Sequence, residues 1–444
     1  MRADEVDAYV EAQMRQLHIP GASLAVVRQG RIVKLKAYGL ASLELKVPVS
    51  NGSVFEIGSI SKQFTAVAVM MLVEEGRIGL DDRLSKYLAG VPEAWGTVTI
   101  RHLLTHTSGI QNYLLVPGLL EATERSGLTH DDIARLFFDR LSLEFQPGAT
   151  WAYTNTGYLL LGNIIEKVSG KPYFEFLTEK IFRPLDMQVT GSSAPATIVP
   201  GRAAGYEWTG SGFINRPPLT ENAYAAGSIV STPSDLVKWD AALNGEMLLR
   251  RPTRNQMWEA AKVGEGDPAP FGYNCGWFID QYHGHRVVSH SGGTPGFSSV
   301  FYRFLDDGLS VILLTNRADR VIDHMAVDVA GQYAAGLARP RNSPADPDPK
   351  VSEMLLAALL GLRAGRADPK LFTPPMQLFL TTAVGKEVWA WVFADGELKS
   401  FTFSESESWE GMRILRYKAV LGDATRWFSF TVSADQKIAQ IHWW

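Results

Sequence analysis

Strand-like runs stand near both ends of the first three-quarters of this chain, and helix-like runs fill the space between them. Ala22 to Val27 and Arg31 to Tyr38 flank Gln29-Gly30, a hairpin signal. Arg286 to His290, Ser298 to Phe304 and Leu309 to Thr315 have the same character, with Asp306-Asp307-Gly308 as a turn. Phe64 to Glu75, Thr99 to Thr105, Asp131 to Phe138 and Gly157 to Val168 read as helices, the last closed by Gly170-Lys171-Pro172. Residues 4–17 open the chain with Val6, Tyr9, Val10, Met14 and Leu17 at helical spacing, and Val321 to Leu337 has the pattern of a closing helix. Such an order predicts one sheet assembled from distant pieces, with a helical subdomain inserted, over residues 1–338.

Residues 339–349 hold Pro340, Pro344, Pro347 and Pro349 among charged and small side chains, which is linker composition. Beyond them, Ser352 to Leu362 reads as a helix. Five strand-like runs follow, at Val388 to Phe393, Leu398 to Phe403, Arg413 to Val420, Trp427 to Val432 and Ile438 to Trp443. One helix followed by a meander predicts a small α+β domain over 350–444. Six of the twelve tryptophans fall there. The alternation Trp389, Trp391, Phe393 reads as one face of a strand packed into that domain's core.

Composition removes several function classes. Forty-three basic residues against forty-seven acidic ones leave no electrostatic reason to expect a nucleic-acid partner. A single cysteine, Cys275 in the apolar stretch Tyr273 to Trp277, excludes an internal disulfide, a Cys-rich zinc site and an iron–sulfur centre, and reads as core filler. His102 and His106 are four apart on a helix, but the Glu of His-Glu-x-x-His is missing, and His283 and His285 lie in a turn without further ligands. No metal and no cofactor are expected. The longest apolar runs, Ala66 to Val73 and Met354 to Leu360, fall well short of a membrane span. The N-terminus carries no basic region followed by an apolar one, so the expected compartment is the cytoplasm, or the exterior if an export signal has been removed.

Three motifs can carry chemistry. In Gly58-Ser59-Ile60-Ser61-Lys62 the hydroxyl and the amine are three residues apart, which at the first turn of a helix puts them on one face. A serine hydroxyl needs a base to become a nucleophile, and a lysine in a pocket can lose enough basicity to serve. Tyr153-Thr154-Asn155 lies in the loop before a helix. Its phenol can act as a base toward Ser59, and its carboxamide can contact a substrate amide or Lys62. His290-Ser291-Gly292-Gly293 follows a strand, where the imidazole can bond a substrate carboxylate or move a proton. Its two glycines let a substrate lie against the backbone. Backbone N–H groups at Ser59 and in the Gly292-Gly293 turn can face a developing oxyanion.

Taken together, these motifs resemble those of the penicillin-recognising serine hydrolases, whose nucleophile signature is Ser-x-x-Lys. RIGLDDRLSKYL (77–88), TIRHLLTHTSG (99–109), Tyr153 to Gly170 and AAGSIVSTPSDL (225–236) look like the class C β-lactamase-like branch, which holds esterases, D-aminopeptidases and D,D-carboxypeptidases. The resemblance implies an antiparallel sheet flanked by helices, an all-helical subdomain and an active site between them. It also implies Ser59 as the acylated nucleophile, Lys62 as its partner, Tyr153 as general base and Asn155 as the substrate-amide contact. The N–H groups of Ser59 and Gly293 match the oxyanion hole. One departure is His290-Ser291-Gly292 where efficient class C β-lactamases carry Lys-Thr-Gly, which removes a fixed cation suited to a β-lactam carboxylate. The function expected is a serine hydrolase of small esters or amides, with a D-amino-acid-specific peptidase or weak β-lactamase as the alternative. A non-catalytic penicillin-binding-like sensor is the remote one. The expected partner is a small ester, amide or peptide. The choice of base between Lys62 and Tyr153, the oligomeric state and the task of the C-terminal domain stay open.

Overall fold

The computed structural model describes residues 3–443 apart from 124–127, 195, 218–222, 319–321, 341–343, 395, 410 and 423. Helix α1 (Ala3–Gln16) leads into the hairpin β1 (Gly21–Arg28) and β2 (Arg31–Ser42), followed by the short β3 (Val47–Pro48). After the helical middle of the chain come β4 (Tyr273–Asn274), β5 (Trp277–Tyr282), β6 (His285–Thr294), β7 (Phe297–Phe304) and β8 (Leu309–Thr315). All eight join one antiparallel sheet in the order β4-β5-β6-β7-β8-β1-β2-β3. The join is β1 against β8, with Ala22 opposite Thr315 and Arg28 opposite Leu309. Both strands are buried almost end to end because each face of the sheet is covered.

One face carries α1 and α5 (Asp323–Tyr333), whose Val6, Val10, Met325 and Val329 pack on the alternate strand positions Leu24, Val26, Val311 and Leu313. On the other face lie α2 (Ser61–Glu74), α3 (Asn155–Ser169) and α4 (Pro233–Asn244). Eleven of the fourteen residues of α2, including Lys62, are buried, so this helix runs through the core rather than over it. Helix α3 stops at Gly170, whose left-handed backbone (φ 74°) caps it. Arg303 and Asp240 tie α4 to the sheet as a buried pair at 2.7 Å, with Ser310 donating to the same carboxylate.

The C-terminal part comprises α6 (Pro349–Arg363), α7 (Pro374–Thr381), α8 (Ala383–Val392) and a four-stranded antiparallel meander, β9 (Leu398–Trp409), β10 (Met412–Leu421), β11 (Ala424–Val432) and β12 (Ile438–Trp443). Four of the five expected strands form here. The fifth, Val388 to Phe393, is helical. The Thr382 side chain accepts from Gly385 N at 3.0 Å and starts a helix whose buried positions, Gly385, Trp389 and Val392, recur at helical spacing. Trp389 is therefore core, while Trp391 points away from it and stays 41% exposed.

Charged and polar contacts hold this part against the large sheet. Arg416, 2% exposed, binds Glu405 and Glu407 and donates to Gln281 O at 2.6 Å. Glu407 accepts from Gly284 N at 2.6 Å, and His283 bonds Glu405 at 2.6 Å. Thr150 donates to Pro375 O and Gln440 to Ala269 O. Removing the guanidinium would leave two carboxylates in a seam without their cation. Arg416→Ala is therefore expected to cost about 3–5 kcal/mol, seen as an earlier transition in chemical denaturation followed by tryptophan fluorescence.

Candidate active site

A short helical turn (Gly58–Ile60) runs directly into α2, so Ser59 and Lys62 share a face at the start of a buried helix. The Lys62 amine is fully enclosed. It donates to Asn155 Oδ1 at 2.8 Å and Ala226 O at 2.7 Å, and lies 3.0 Å from Ser59 Oγ. Burial drives its pKa well below the ordinary lysine value. Tyr153 covers it, with the amine 4.8 Å from the ring centroid, and the Tyr153 hydroxyl bonds the Ser59 side chain. Burial raises the Tyr153 pKa, against the smaller opposing effect of that bond. Desolvation thus favours the uncharged amine and the uncharged phenol over an ammonium–phenolate pair.

The residues singled out from the sequence do not all stand as expected. Ser59, Lys62, Tyr153 and Asn155 come together, and the Asn155 carbonyl oxygen is turned to Lys62. His290 lies alongside, 2% exposed, with both ring nitrogens already engaged. Its Nδ1 is 2.6 Å from the Ser291 carbonyl, which can only accept, so Nδ1 carries the proton. Nε2 then accepts from the Tyr273 hydroxyl at 3.1 Å. Burial, and then the charge of Lys62, push the His290 pKa down to about 3. A neutral ring with both nitrogens engaged is a weak anchor for the substrate carboxylate expected there.

The two glycines also divide their roles. A Cβ at Gly292 would sit 2.0 Å from Ile57 O and 2.6 Å from Ser299 Oγ, so this glycine lets the strand pack against the segment that carries Ser59. Its backbone still lines the cavity, as expected of a glycine beneath a substrate. A Cβ at Gly293 would meet nothing within 4 Å, so this position faces the cleft. Gly58 touches Gly293, since a Cβ there would lie 2.8 Å from Gly293 N, which brings the backbone of Ser59 beside that of Gly293. β5 pairs with β6 only as far as Ser289, leaving residues 290–294 as a strand edge toward the cleft among the described residues.

Sequence reading missed His106 and Tyr273. His106, fully buried with φ 57°, accepts from Thr154 N at 3.2 Å and packs at a tilt against Tyr153, at 4.4 Å, and Tyr273, at 4.5 Å between centroids. The sequence presented it only with His102 as a zinc pair, set aside for want of the Glu; the fold turns its ring against Tyr153. Cys275 is buried and its thiol is pushed up to about 12, which suits filler rather than a nucleophile.

The cleft opens into a cavity of about 950 Å³. Ser59, Tyr153, His290 and Gly293 line one part, and Trp151, Phe271 and Phe278 give it an apolar wall. The C-terminal part completes the enclosure with Phe379, Val384, Val388, Trp391, His442 and Trp443. Among the described lining residues the single guanidinium, Arg216, is bound to Glu207.

A family model described as beta-lactamase matches residues 6–334. Penicillin-binding protein 4* of Bacillus subtilis (strain 168) is 30% identical over 353 residues, covering 76% of this chain and 76% of that protein. A D-stereospecific amidohydrolase from Streptomyces sp. superposes with a TM-score of 0.60 at 29% identity, over 71% of this chain and 94% of that one. The octameric penicillin-binding protein homologue from Pyrococcus abyssi covers 99% of this chain and 95% of its own, with a TM-score of 0.64. At 22% identity that last likeness concerns the fold alone, and it runs through the C-terminal elements.

The division between the glycines is testable by stability. Gly292→Ala is expected to destabilise by about 1–3 kcal/mol or more, because backbone must move to admit the methyl. Gly293→Ala should stay within about 0.5 kcal/mol of the parent, both read from urea denaturation midpoints.

Proposed function

The chain belongs to the beta-lactamase family of serine hydrolases, and from that premise we propose that it cleaves small esters through an acyl-enzyme on Ser59. The observation that carries this reading is the arrangement around Lys62 Nζ. Two of its three neighbours, Asn155 Oδ1 and Ala226 O, can only accept hydrogen bonds. A neutral amine satisfies both with its two N–H groups and turns its lone pair to Ser59 Oγ, 3.0 Å away. Lys62 therefore takes the Ser59 proton as the hydroxyl oxygen attacks the acyl carbonyl. Tyr153, bonded to the same hydroxyl and held uncharged by burial, passes its proton to the departing oxygen and takes up the one Lys62 removed from Ser59, so that amine and phenol both end uncharged. The oxyanion meets the N–H groups of Ser59 and Gly293, brought side by side by the Gly58 contact. Water then attacks the acyl-enzyme with the same groups acting in reverse.

The ester preference rests on what surrounds the nucleophile. The wall is apolar, His290 is neutral, and Arg216 is already paired, so an acyl group without a carboxylate fits better than a β-lactam or a peptide with a free C-terminus. Hydrolysis of D-amino-acid amides is the second reading, favoured by the similarity to a D-stereospecific amidohydrolase.

A fluorophosphonate should add covalently to the intact protein at one site, and Ser59→Ala should abolish the adduct in the mass spectrum. An adduct that survives the substitution would overturn the assignment. Among substrates, a short-chain nitrophenyl ester should be turned over faster than a D-alanyl peptide, and the reverse order would favour the second reading.

The pH dependence has a fixed sign. Lys62 must be neutral to accept a proton, so kcat/KM should rise with pH through the lowered Lys62 pKa and fall away below it. The midpoint of that limb should lie well under 10.5. Lys62→Ala should lower kcat by about 10²–10⁴-fold with the fold retained.

A further inference from the structure

The cavity does not end at Ser59. It continues along the edge of β6 onto the face of the sheet opposite α2, where Ser289, Ser291 and Gly293 alternate toward it and Tyr302 stands across from Ser289. Along β6, Ser289 is four positions from Gly293, about 13 Å, and Val287, which faces Asp280, is six positions away, about 20 Å. At this far end the lining changes character. Asp323, at the start of α5, accepts from the Tyr302 hydroxyl at 2.9 Å. Asp280, on β5, accepts from Gln281 N and lies 3.5 Å from His442 Nδ1. Two indoles from the C-terminal part, Trp391 and Trp443, line the same compartment.

Two carboxylates in a largely apolar chamber are costly unless something compensates them. Neither is ion-paired to a lysine or arginine among the described residues. Arg426 acts on Asp323 only as a weaker, stabilising charge. Burial lowers the pKa of His442, which leaves its ring uncharged beside Asp280. Burial also pushes the Asp323 pKa up to about 6, the mark of a carboxyl group lacking a strong cation. A compartment meant only for hydrocarbon would be lined differently.

We infer that this far compartment binds a protonated amine carried by the substrate, at the Asp280 and Asp323 carboxylates, with the scissile carbonyl at Ser59. The substrate class narrows to esters or amides with a primary ammonium about 13–20 Å from the carbonyl, flanked by apolar atoms that pass the indoles. The inference rests on reading the Ser59 cleft as the acyl-transfer site, so its test is made independent of turnover.

Ser59→Ala protein is titrated by calorimetry with two pairs of esters whose length matches that span. In one pair the acyl chain ends in an ammonium or in an isosteric methyl; in the other the alcohol carries those ends. In at least one pair the ammonium member should bind about tenfold or more tightly. With Asp280→Asn and Asp323→Asn added, that preference should shrink to about twofold or less. Asp280→Asn alone, at a half-buried strand position, should move the ratio in the same direction by a smaller factor. Equal binding within both pairs, or a preference that survives the Asn substitutions, overturns the inference. Fluorophosphonate labelling of the parent protein is read separately. An amine preference without labelling would sink the acyl-enzyme reading and leave this one standing; labelling without a preference would do the reverse.

Discussion

The buried amine of Lys62 is the contact on which the site depends. It joins α2, which carries it, to α3 through Asn155 and to the Ala226 segment through a carbonyl, and it reaches Ser59 one turn back. Removing an ammonium from water is expensive, and the structure meets that cost with acceptors rather than a counter-charge. The consequence is chemical. No carboxylate among the described residues bonds the amine, so the loss of basicity that burial causes is not offset and the amine sheds its proton at a pH well below the ordinary lysine range. A carboxylate in place of Asn155 would hold the ammonium charged and leave no lone pair for Ser59.

Tyr153 belongs to the same balance. Its ring covers the amine, His106 packs against it at a tilt, and Thr154 N donates to the His106 ring. Tyr273 packs at a tilt against that histidine and spends its hydroxyl on His290. Three aromatic residues thereby fix the phenol without competing for its proton. His290, its proton on Nδ1 toward Ser291 O and its pKa pushed down by burial, is neutral. The local field at Ser59 therefore contains one adjustable charge, Lys62.

The sequence made part of this legible and concealed the rest for physical reasons. Ser59 and Lys62 could be placed together because helical periodicity alone sets their relation. Tyr153 and Asn155 were visible as polar residues at a loop–helix junction. The state of His290 was not visible, because its tautomer depends on Ser291 O and on Tyr273, a residue seventeen positions away on another strand. Gly292 and Gly293 look alike in sequence, and only the packing of Ile57 separates them. His106 shows how spacing misleads, since its left-handed backbone turns the ring out of the helical register shared with His102. In the sheet, the distant strands were placed correctly because apolar runs with turn signals leave few alternatives. Val388 to Phe393 failed because a run of apolar residues six long fits a strand or a helix equally well, and the Thr382 cap decided between them.

That misread helix matters for the site. As a strand, Trp391 would have been spent in a core; on α8 it borders the cavity together with Val384 and Val388. The C-terminal sheet reaches the same space through His442 and Trp443 and is held there by the Arg416 seam on the β5–β6 turn. The strand edge that carries Gly293 is thus continuous with the strands that dock the C-terminal part. Any shift of that docking moves one wall of the cavity while the Ser59–Lys62–Tyr153 geometry, built on the other side of the sheet edge, stays fixed. Ser59, Lys62 and Tyr153 thus lie on one part of the chain, while the C-terminal part supplies an apolar wall of the same cavity and none of the acceptors around Lys62.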